Sequence, residues 1–236
     1  MAHPARRVAG LDVRSAFARA LDRVRKEQPD YLVLTGDLAQ DKAPQTYQAL
    51  RELLGELLDR TLVLPGNHDD PKRVRAAFPT CTGAPDKVGF SIRSGGWHLL
   101  GIDTHVPRRV LGRVGAAQLA WLAAELEAGT EPAIVFLHHP PIVVGTWWLD
   151  ASRLEDAAPL AALLESHPRV QAVVCGHAHM DAAGRLGHAQ VLVTPSTAYQ
   201  FVAGALWPRV QRDGSAFRMF DLGEKLRTEV VRVQAG

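Results

Sequence analysis

Hydrophobic positions along the chain switch repeatedly between a helical period and short continuous runs. Over residues 15–26, Phe17, Ala20, Leu21 and Val24 share one helical face, with Ser15 as the cap. Residues 31–34 then form an apolar run, the mark of a strand covered on both faces, which stops at Thr35-Gly36-Asp37. A second helical pattern follows Pro44, with Leu50, Leu53, Leu54 and Leu57 on one side. Residues 61–64 are the next run, ending at Pro65-Gly66-Asn67-His68-Asp69.

Residues 89–92 and 97–102 flank Arg93-Ser94-Gly95-Gly96 and predict a hairpin. A helix over 115–128, with Leu119, Leu122 and Leu126 aligned, precedes an apolar strand over 133–137 that ends at His138-His139-Pro140-Pro141. The loop after it carries Trp147, Trp148, Leu149 and Asp150, and a short helix spans Ala157–Glu165. Val170–Cys175 is a further strand, leading through Gly176 into His177-Ala178-His179. Strands near 190–193, 216–222 and 228–233 close the chain with antiparallel pairing, while residues 1–9 lack periodicity and read as a tail. Helix and strand alternate as in a layered α/β fold, without internal repeats.

A chain of 236 residues, 47% hydrophobic and 22% charged, predicts one globular domain over 1–236 with a core that needs no disulfide or metal staple. Twenty-seven basic against 25 acidic residues leave a net charge of +2, too small to argue for a nucleic-acid or membrane partner, and neither is expected. Cys81 and Cys175 are the two cysteines, and Cys175, at the end of an apolar strand, is expected to be a free thiol suited to a reducing compartment. With no apolar run of ~18 residues and no signal-peptide core, the expected location is the cytoplasm.

Four strands therefore end in Asp37, Asn67-His68, His138-His139 and His177-x-His179. Ligands of open α/β sheets bind at the carboxyl ends of the strands. One carboxylate, one amide oxygen and three or four imidazoles suit a borderline divalent ion such as zinc, manganese or iron. Each element alone has a structural reading: Gly-Asp as a turn, Asp69 or Asp70 as a helix cap, His-His-Pro-Pro as a rigid loop, Cys175 as core. Their recurrence at four strand ends favours a metal site.

The order Gly-Asp, Gly-Asn-His-Asp, His-His-Pro-Pro, Gly-His-x-His resembles the calcineurin-like metallophosphoesterases, most closely their class III cyclic-nucleotide phosphodiesterase branch. The likeness runs from about Gly10 to Val233 and includes the phrases Leu34-Thr35-Gly36-Asp37-Leu38-Ala39-Gln40-Asp41, Trp148-Leu149-Asp150 and Thr194-Pro195-Ser196-Thr197. The resemblance implies a four-layer αββα fold in which two mixed sheets are flanked by helices. It implies two divalent ions: Asp37 bridges them, Asn67, His138 and His177 complete the second site, and His179 belongs to the first. His68 faces the phosphoryl group, so His68, Asn67 and Asp37 form the implied catalytic set, and His139 orients its neighbour. The implied reaction is hydrolysis of a cyclic nucleotide, 3′,5′-cyclic AMP foremost, by metal-activated water. Alternatives are a glycerophosphodiesterase, a broad-specificity phosphoesterase, or a non-catalytic binding protein that has lost one metal site.

The family opens with Asp-x-His at the end of a first central strand, and this chain has neither before Gly10; two residues ahead of His3 stands Met1. The expectation is that the motif lies just upstream, through a shortened chain or a misplaced start. Otherwise the first site keeps only Asp37 and His179, and one ion is bound instead of two. One carboxylate against a divalent ion leaves a net charge of about +1, still attractive to phosphate. Loss of an inner strand should expose unpaired backbone and an apolar face. Ile102-Asp103-Thr104-His105 also spells Asp-x-His, but at the wrong place in the order, and is taken as a structural Asp and a loop His. Trp147 and Trp148 are expected to shield the cleft or pack in the core rather than stack on a base.

Overall fold

The computed structural model describes residues 10–211 and 214–233; the tail reading of residues 1–9 and the comparison at His3 fall outside them. The chain enters α1 (Val13–Glu27), with Asp12 as the N-cap: its carboxylate accepts from the Ser15 amide at 3.1 Å and the Ser15 hydroxyl at 2.7 Å. The expected cap, Ser15, is thus the capped residue, because Asp12 satisfies the free amides one turn earlier. β1 (Leu32–Leu34) pairs in parallel with β2 (Thr61–Val63), and α2 (Pro44–Leu54) with a 3₁₀ turn over Gly55–Arg60 forms the crossover. A helix not seen in the periodicity, α3 (Pro71–Ala77), follows; Asp70 caps it by accepting from the Lys72 amide.

β3 (Phe90–Ser94) and β4 (Trp97–Gly101) form the hairpin, turned by Gly95 and Gly96 at φ 57° and 79°. Two successive left-handed residues match the twist of the flanking strands, so the turn needs two residues and not four. Then come α4 (Ala116–Glu127), β5 (Ala133–Phe136), the one-turn α5 (Trp147–Asp150), α6 (Ala157–Glu165) and β6 (Val170–Cys175). The chain closes with β7 (Ala182–Leu186), β8 (Ala189–Val193), the short antiparallel pair β9 (Gln200–Phe201) and β10 (Val210–Gln211), and the long hairpin β11 (Ser215–Leu222) and β12 (Leu226–Val233).

The main sheet has six strands in the order β3-β4-β5-β6-β8-β7, parallel from β4 through β8 and antiparallel at both edges. β8 was expected to pair antiparallel only; it is antiparallel to β7 but parallel to β6. Both faces are buried. Leu100, Val135, Val173 and Val191 meet Leu122 and Leu126 of α4 and Leu160 and Leu164 of α6 on one side. Leu99, Ile134, Phe136 and Val174 turn to the other, against Leu62, Phe90 and the partly buried Phe220. That period-2 division of one apolar run between two cores explains why the strands read as continuous hydrophobic stretches. Beyond the second core lie β1–β2 and β11–β12, and outside them α1 and α2, sealed by Phe17, Leu21, Leu50 and Leu54. The α/β layering matches the expectation.

The second sheet departs from it. Among the described residues β1–β2 and β11–β12 are separate two-stranded pieces, with a cavity of about 560 Å³ between them. No helix among the described residues is long and apolar enough to cross a membrane. At the carboxyl ends of β1, β2, β5 and β6 the chain reaches Asp37, Asn67, His138 and His177.

Candidate metal centre

The turns that carry these residues are tightly constrained. Asp37, His177 and His179 have φ of 55°, 64° and 48°, three of the seven non-glycine residues with positive φ among those described. Left-handed backbone at a residue with a Cβ is held by its surroundings, and such residues concentrate at functional sites. Two glycines allow the strand ends to touch: a Cβ on Gly66 would lie 2.1 Å from Asp37 Oδ1, and one on Gly36 would lie 2.4 Å from His138 Nδ1.

Ring hydrogen bonds then decide which nitrogens are bare. His138 Nδ1 donates to the Thr35 carbonyl at 2.7 Å, which leaves Nε2 with its lone pair. His177 Nε2 donates to the Ser152 hydroxyl oxygen at 3.1 Å, which leaves Nδ1 bare; the same hydroxyl donates back to the Leu149 carbonyl at 3.0 Å. These two nitrogens face each other at 3.3 Å. Asn67 Oδ1 lies 3.0 Å from His177 Nδ1 and 3.3 Å from His138 Nε2, and Asp37 Oδ1 is 3.5 Å from His138 Nε2. Ligands ~2.1 Å from a divalent ion are separated by ~3.0–3.4 Å in octahedral or tetrahedral arrangements. The four acceptor atoms have the spacing of a coordination shell.

The charge states suit the same occupant. Burial raises the Asp37 carboxyl, but the imidazoles of His138, His68 and His177 and the His68 amide outweigh it and hold the carboxyl down to about 2. Burial lowers His177 to about 3, helped by His138, and lowers His179 to about 4. An ionised carboxylate and neutral imidazoles are the forms that bind cations.

The family model for calcineurin-like phosphoesterases matches residues 10–181. The chain belongs to the calcineurin-like phosphoesterase family. A 3′,5′-cyclic-nucleotide phosphodiesterase of Nostoc sp. is 30% identical over 233 residues, covering 94% of this chain and 84% of the relative. A glycerophosphodiester phosphodiesterase of Enterobacter lignolyticus is 32% identical over 197 residues, covering 80% of this chain and 71% of the relative. Among solved structures, a dimetal phosphatase from Danio rerio superposes with a TM-score of 0.69 at 14% identity, covering 93% of this chain and 88% of the other, a likeness of fold.

In this phosphoesterase Asp37, Asn67, His138 and His177 come together, whereas His179 and His68 line the same cleft of about 330 Å³ without hydrogen-bonding to the other side chains. His68 is exposed, and its amide donates to Asp37 Oδ1 at 3.0 Å. The His179 ring stacks on Phe201 at 4.8 Å, and its Nδ1 is buried without a partner among the described residues. His139 is within reach of His138 and His177 but has no free nitrogen: Nδ1 accepts from the Thr104 hydroxyl at 2.8 Å and Nε2 donates to the Val110 carbonyl at 2.9 Å. Its ring packs edge-on against His138 at 4.7 Å.

Trp148 is partly buried, edge-on to Phe201 at 4.8 Å, and lines the cleft. Trp147 corrects the expectation: it is 64% exposed, and its indole N–H donates to the Leu206 carbonyl at 2.8 Å, so it neither packs in the core nor lines the cleft.

Asp69 was read only as a possible cap, yet it ties three loops of the phosphoesterase together. Fully buried, it accepts from the amides of Leu38 at 3.0 Å, Ala39 at 2.9 Å and Gly66 at 2.8 Å and from the Tyr47 hydroxyl at 3.1 Å. Burial and the Asp37 charge push its carboxyl up while the backbone donors pull it down. The Asp69-Asp70 doublet was the available signal, since one aspartate suffices to cap α3. Ser152 had none.

No hydrogen bond or ion pair among the described residues joins Asp103 or His105 to the four donors. Asp103 Oδ1 accepts from the His105 amide at 2.8 Å, and the other oxygen is 3.9 Å from Lys87 Nζ. Burial raises the Asp103 carboxyl to about 6 from 3.8. A raised carboxyl binds its proton more tightly in the folded state, so its contribution is complete below about pH 4 and is lost as pH rises through about 6. Asp103→Asn removes that loss. In urea unfolding followed from pH 4 to 8, the variant should gain ~2 kcal/mol on the wild type across this window; parallel profiles would refute the assignment.

Proposed function

We propose that this phosphoesterase hydrolyses a cyclic nucleotide, with 3′,5′-cyclic AMP the foremost candidate, to the nucleoside monophosphate. The observation that carries the reading is the cluster of four acceptor atoms, Asp37 Oδ1, Asn67 Oδ1, His138 Nε2 and His177 Nδ1, with neighbour distances of 3.0–3.5 Å. These residues would hold one divalent ion, iron, manganese or zinc, and Asp37 with His179 would contribute to a second. Bound ions supply Lewis-acid polarisation of the phosphoryl oxygens and a water acidic enough to act near neutral pH. Thr35 and Ser152 keep the two imidazoles in the tautomers that accept the cation. His68, exposed beside Asp37 on the cleft wall, donates to the phosphoryl group and to the departing ester oxygen. A cleft of about 330 Å³ is of small-molecule size, and Trp148 and Phe201 give it an apolar wall. The buried free thiols of Cys81 and Cys175 support a cytoplasmic location.

The similarity to a glycerophosphodiester phosphodiesterase favours a second reading, in which the diester is acyclic. Relative rates on cyclic AMP, glycerophosphocholine and p-nitrophenyl phosphate separate the two, with the highest kcat/KM expected on cyclic AMP. With manganese, the wild-type chain should hydrolyse bis(p-nitrophenyl) phosphate and Asn67→Ala should reduce the rate by ~100-fold or more, since one of the four clustered ligand atoms is lost. A wild-type rate in that variant would remove Asn67 from the site; a chain that takes up no metal would favour a non-catalytic binding protein.

A further inference from the structure

His139 is fully buried, its ring 4.7 Å from that of His138 and 4.8 Å from that of His177, yet its hydrogen bonds lead away from both. A carbonyl can only accept, so the bond to the Val110 carbonyl at 2.9 Å fixes the proton on Nε2. Nδ1 then accepts from the Thr104 hydroxyl at 2.8 Å, and the same oxygen accepts from the His139 amide at 3.4 Å. Thr104 thus locks the ring, and the single N–H of that ring goes to Val110.

The loop that carries Val110, residues 106–113, is tied down on either side of the imidazole. The Gly112 amide donates to the Arg153 carbonyl at 3.3 Å, the Gly112 carbonyl accepts from the Glu155 amide at 2.8 Å, and the Arg113 amide donates to the Thr104 carbonyl at 3.0 Å. Gly112 passes so close to the ring that a Cβ there would lie 2.3 Å from His139 Nδ1. The backbone of the loop is therefore seated, while Val110 itself is 57% exposed and lines the cleft together with Trp148 and Phe201. A lone exposed valine is ordinary on a protein surface. This one is held by its carbonyl in the wall of the cleft and left open to water. The aromatic part of the wall is fixed as well: the Trp148 N–H donates to the Ala205 carbonyl at 3.2 Å, and its ring meets Phe201 edge-on at 4.8 Å. Apolar surface that is rigid before binding costs little further ordering when a ligand covers it.

We propose that Val110 is a specificity-determining residue for diesters that carry an aromatic or similarly flat apolar group, and that His139 is the positioning residue that holds it in the cleft wall. The proposal rests on the phosphodiesterase reading and deepens it. With the phosphoryl group at the metal centre, the apolar group joined to it (the base of a cyclic nucleotide) covers Val110 beside Trp148. A glycerol arm would set hydroxyls against the same methyl groups and gain nothing from them, so this wall favours the cyclic nucleotide over the polar acyclic diester.

The test compares bis(p-nitrophenyl) phosphate with methyl p-nitrophenyl phosphate, which release the same p-nitrophenolate and differ only in the ester group that stays on phosphorus. Both rates are taken on one manganese-loaded preparation, so its metal content cancels in their ratio. Val110→Ser should lower the aryl-to-methyl ratio of kcat/KM by ~5-fold or more, through KM rather than kcat, because the contact is made in bound substrate and transition state alike. His139→Asn keeps an acceptor for Thr104 but does not reach the Val110 carbonyl, so it should lower the ratio likewise. His139→Gln, whose amide nitrogen falls near the position of Nε2, should restore it. If the His139 variants do not fold, Gly112→Ala pushes the loop off an intact imidazole and should give the same fall. An unchanged ratio in Val110→Ser, with both diesters still turned over, would overturn the proposal and leave the phosphodiesterase reading standing. A fall in Val110→Ser alone, with wild-type ratios in His139→Asn and Gly112→Ala, would overturn the role of His139. Turnover of neither diester by the manganese-loaded wild type would overturn the phosphodiesterase reading, and the proposal with it.

Discussion

Replacing Asp37 with alanine is expected to empty the metal centre and lower diester hydrolysis by ~1,000-fold or more, several kcal/mol of lost transition-state charge stabilisation. Asp37 supplies the one negative charge among the four clustered donors, and the surrounding imidazoles hold it ionised with a pKa near 2 despite burial. Without it, an ion would face two imidazoles and an amide oxygen, a neutral set that binds divalent cations far more weakly. The side chain also accepts the His68 amide at 3.0 Å, so alanine frees the turn that aims His68 at the cleft. Asp37→Asn separates these effects. It keeps the shape and an acceptor for that amide but loses the charge, so it should fold like wild type by circular dichroism yet retain little metal by mass spectrometry. A variant with normal metal content and rate would show that the ion is held elsewhere.

Gly66→Ala should cost ~3 kcal/mol of stability and most of the metal affinity, although it adds a single methyl group to a loop. The methyl would lie 2.1 Å from Asp37 Oδ1, 2.4 Å from the Asp37 amide nitrogen and 2.7 Å from His138 Cε1. Two of these are side-chain atoms, one from each of two clustered donors, and one is backbone, so relief requires the strand ends of β1 and β2 to part. Parting them would also strain the Gly66 amide, which donates to Asp69 at 2.8 Å, and with it the buried carboxylate that holds the amides of Leu38 and Ala39. Gly145→Ala is the comparison. Gly145 has φ +78°, with nothing within 4 Å of an added Cβ, so its cost is the backbone penalty alone, ~1 kcal/mol. Urea unfolding of both variants, with metal content measured alongside, distinguishes collision from conformation. Wild-type stability in Gly66→Ala would mean that the strand ends approach less closely than described.

Much of this arrangement was legible because buried strands leave a plain trace. Val170–Cys175 and Ala157–Glu165 were delimited to the residue from apolar runs and helical spacing. α3 was missed because its seven residues, Pro-Lys-Arg-Val-Arg-Ala-Ala, bury only Val74 and so show no apolar face. The Trp147–Asp150 turn was taken as loop for the same reason, one turn being too short for periodicity. Trp147 was misjudged because composition favours burying indoles, while its N–H finds its acceptor on Leu206, 59 residues away.

The sequence alone determined where the candidate ligands leave the sheet, because a strand covered on both faces must be apolar until it leaves the sheet, and the first polar residues after it mark the rim. Asp37, Asn67, His138 and His177 were found in that way. Only the tertiary structure decided which of their atoms are available. His138 is oriented by a carbonyl 103 residues away and His177 by a hydroxyl 25 residues away, while His139, next in the chain to His138, has both nitrogens engaged. Likewise no local pattern shows that β1 and β11 face each other across an open slot. Strand propensity is a property of a segment; which edges lie side by side, and which lone pairs they leave unshared, depends on contacts between segments distant in sequence.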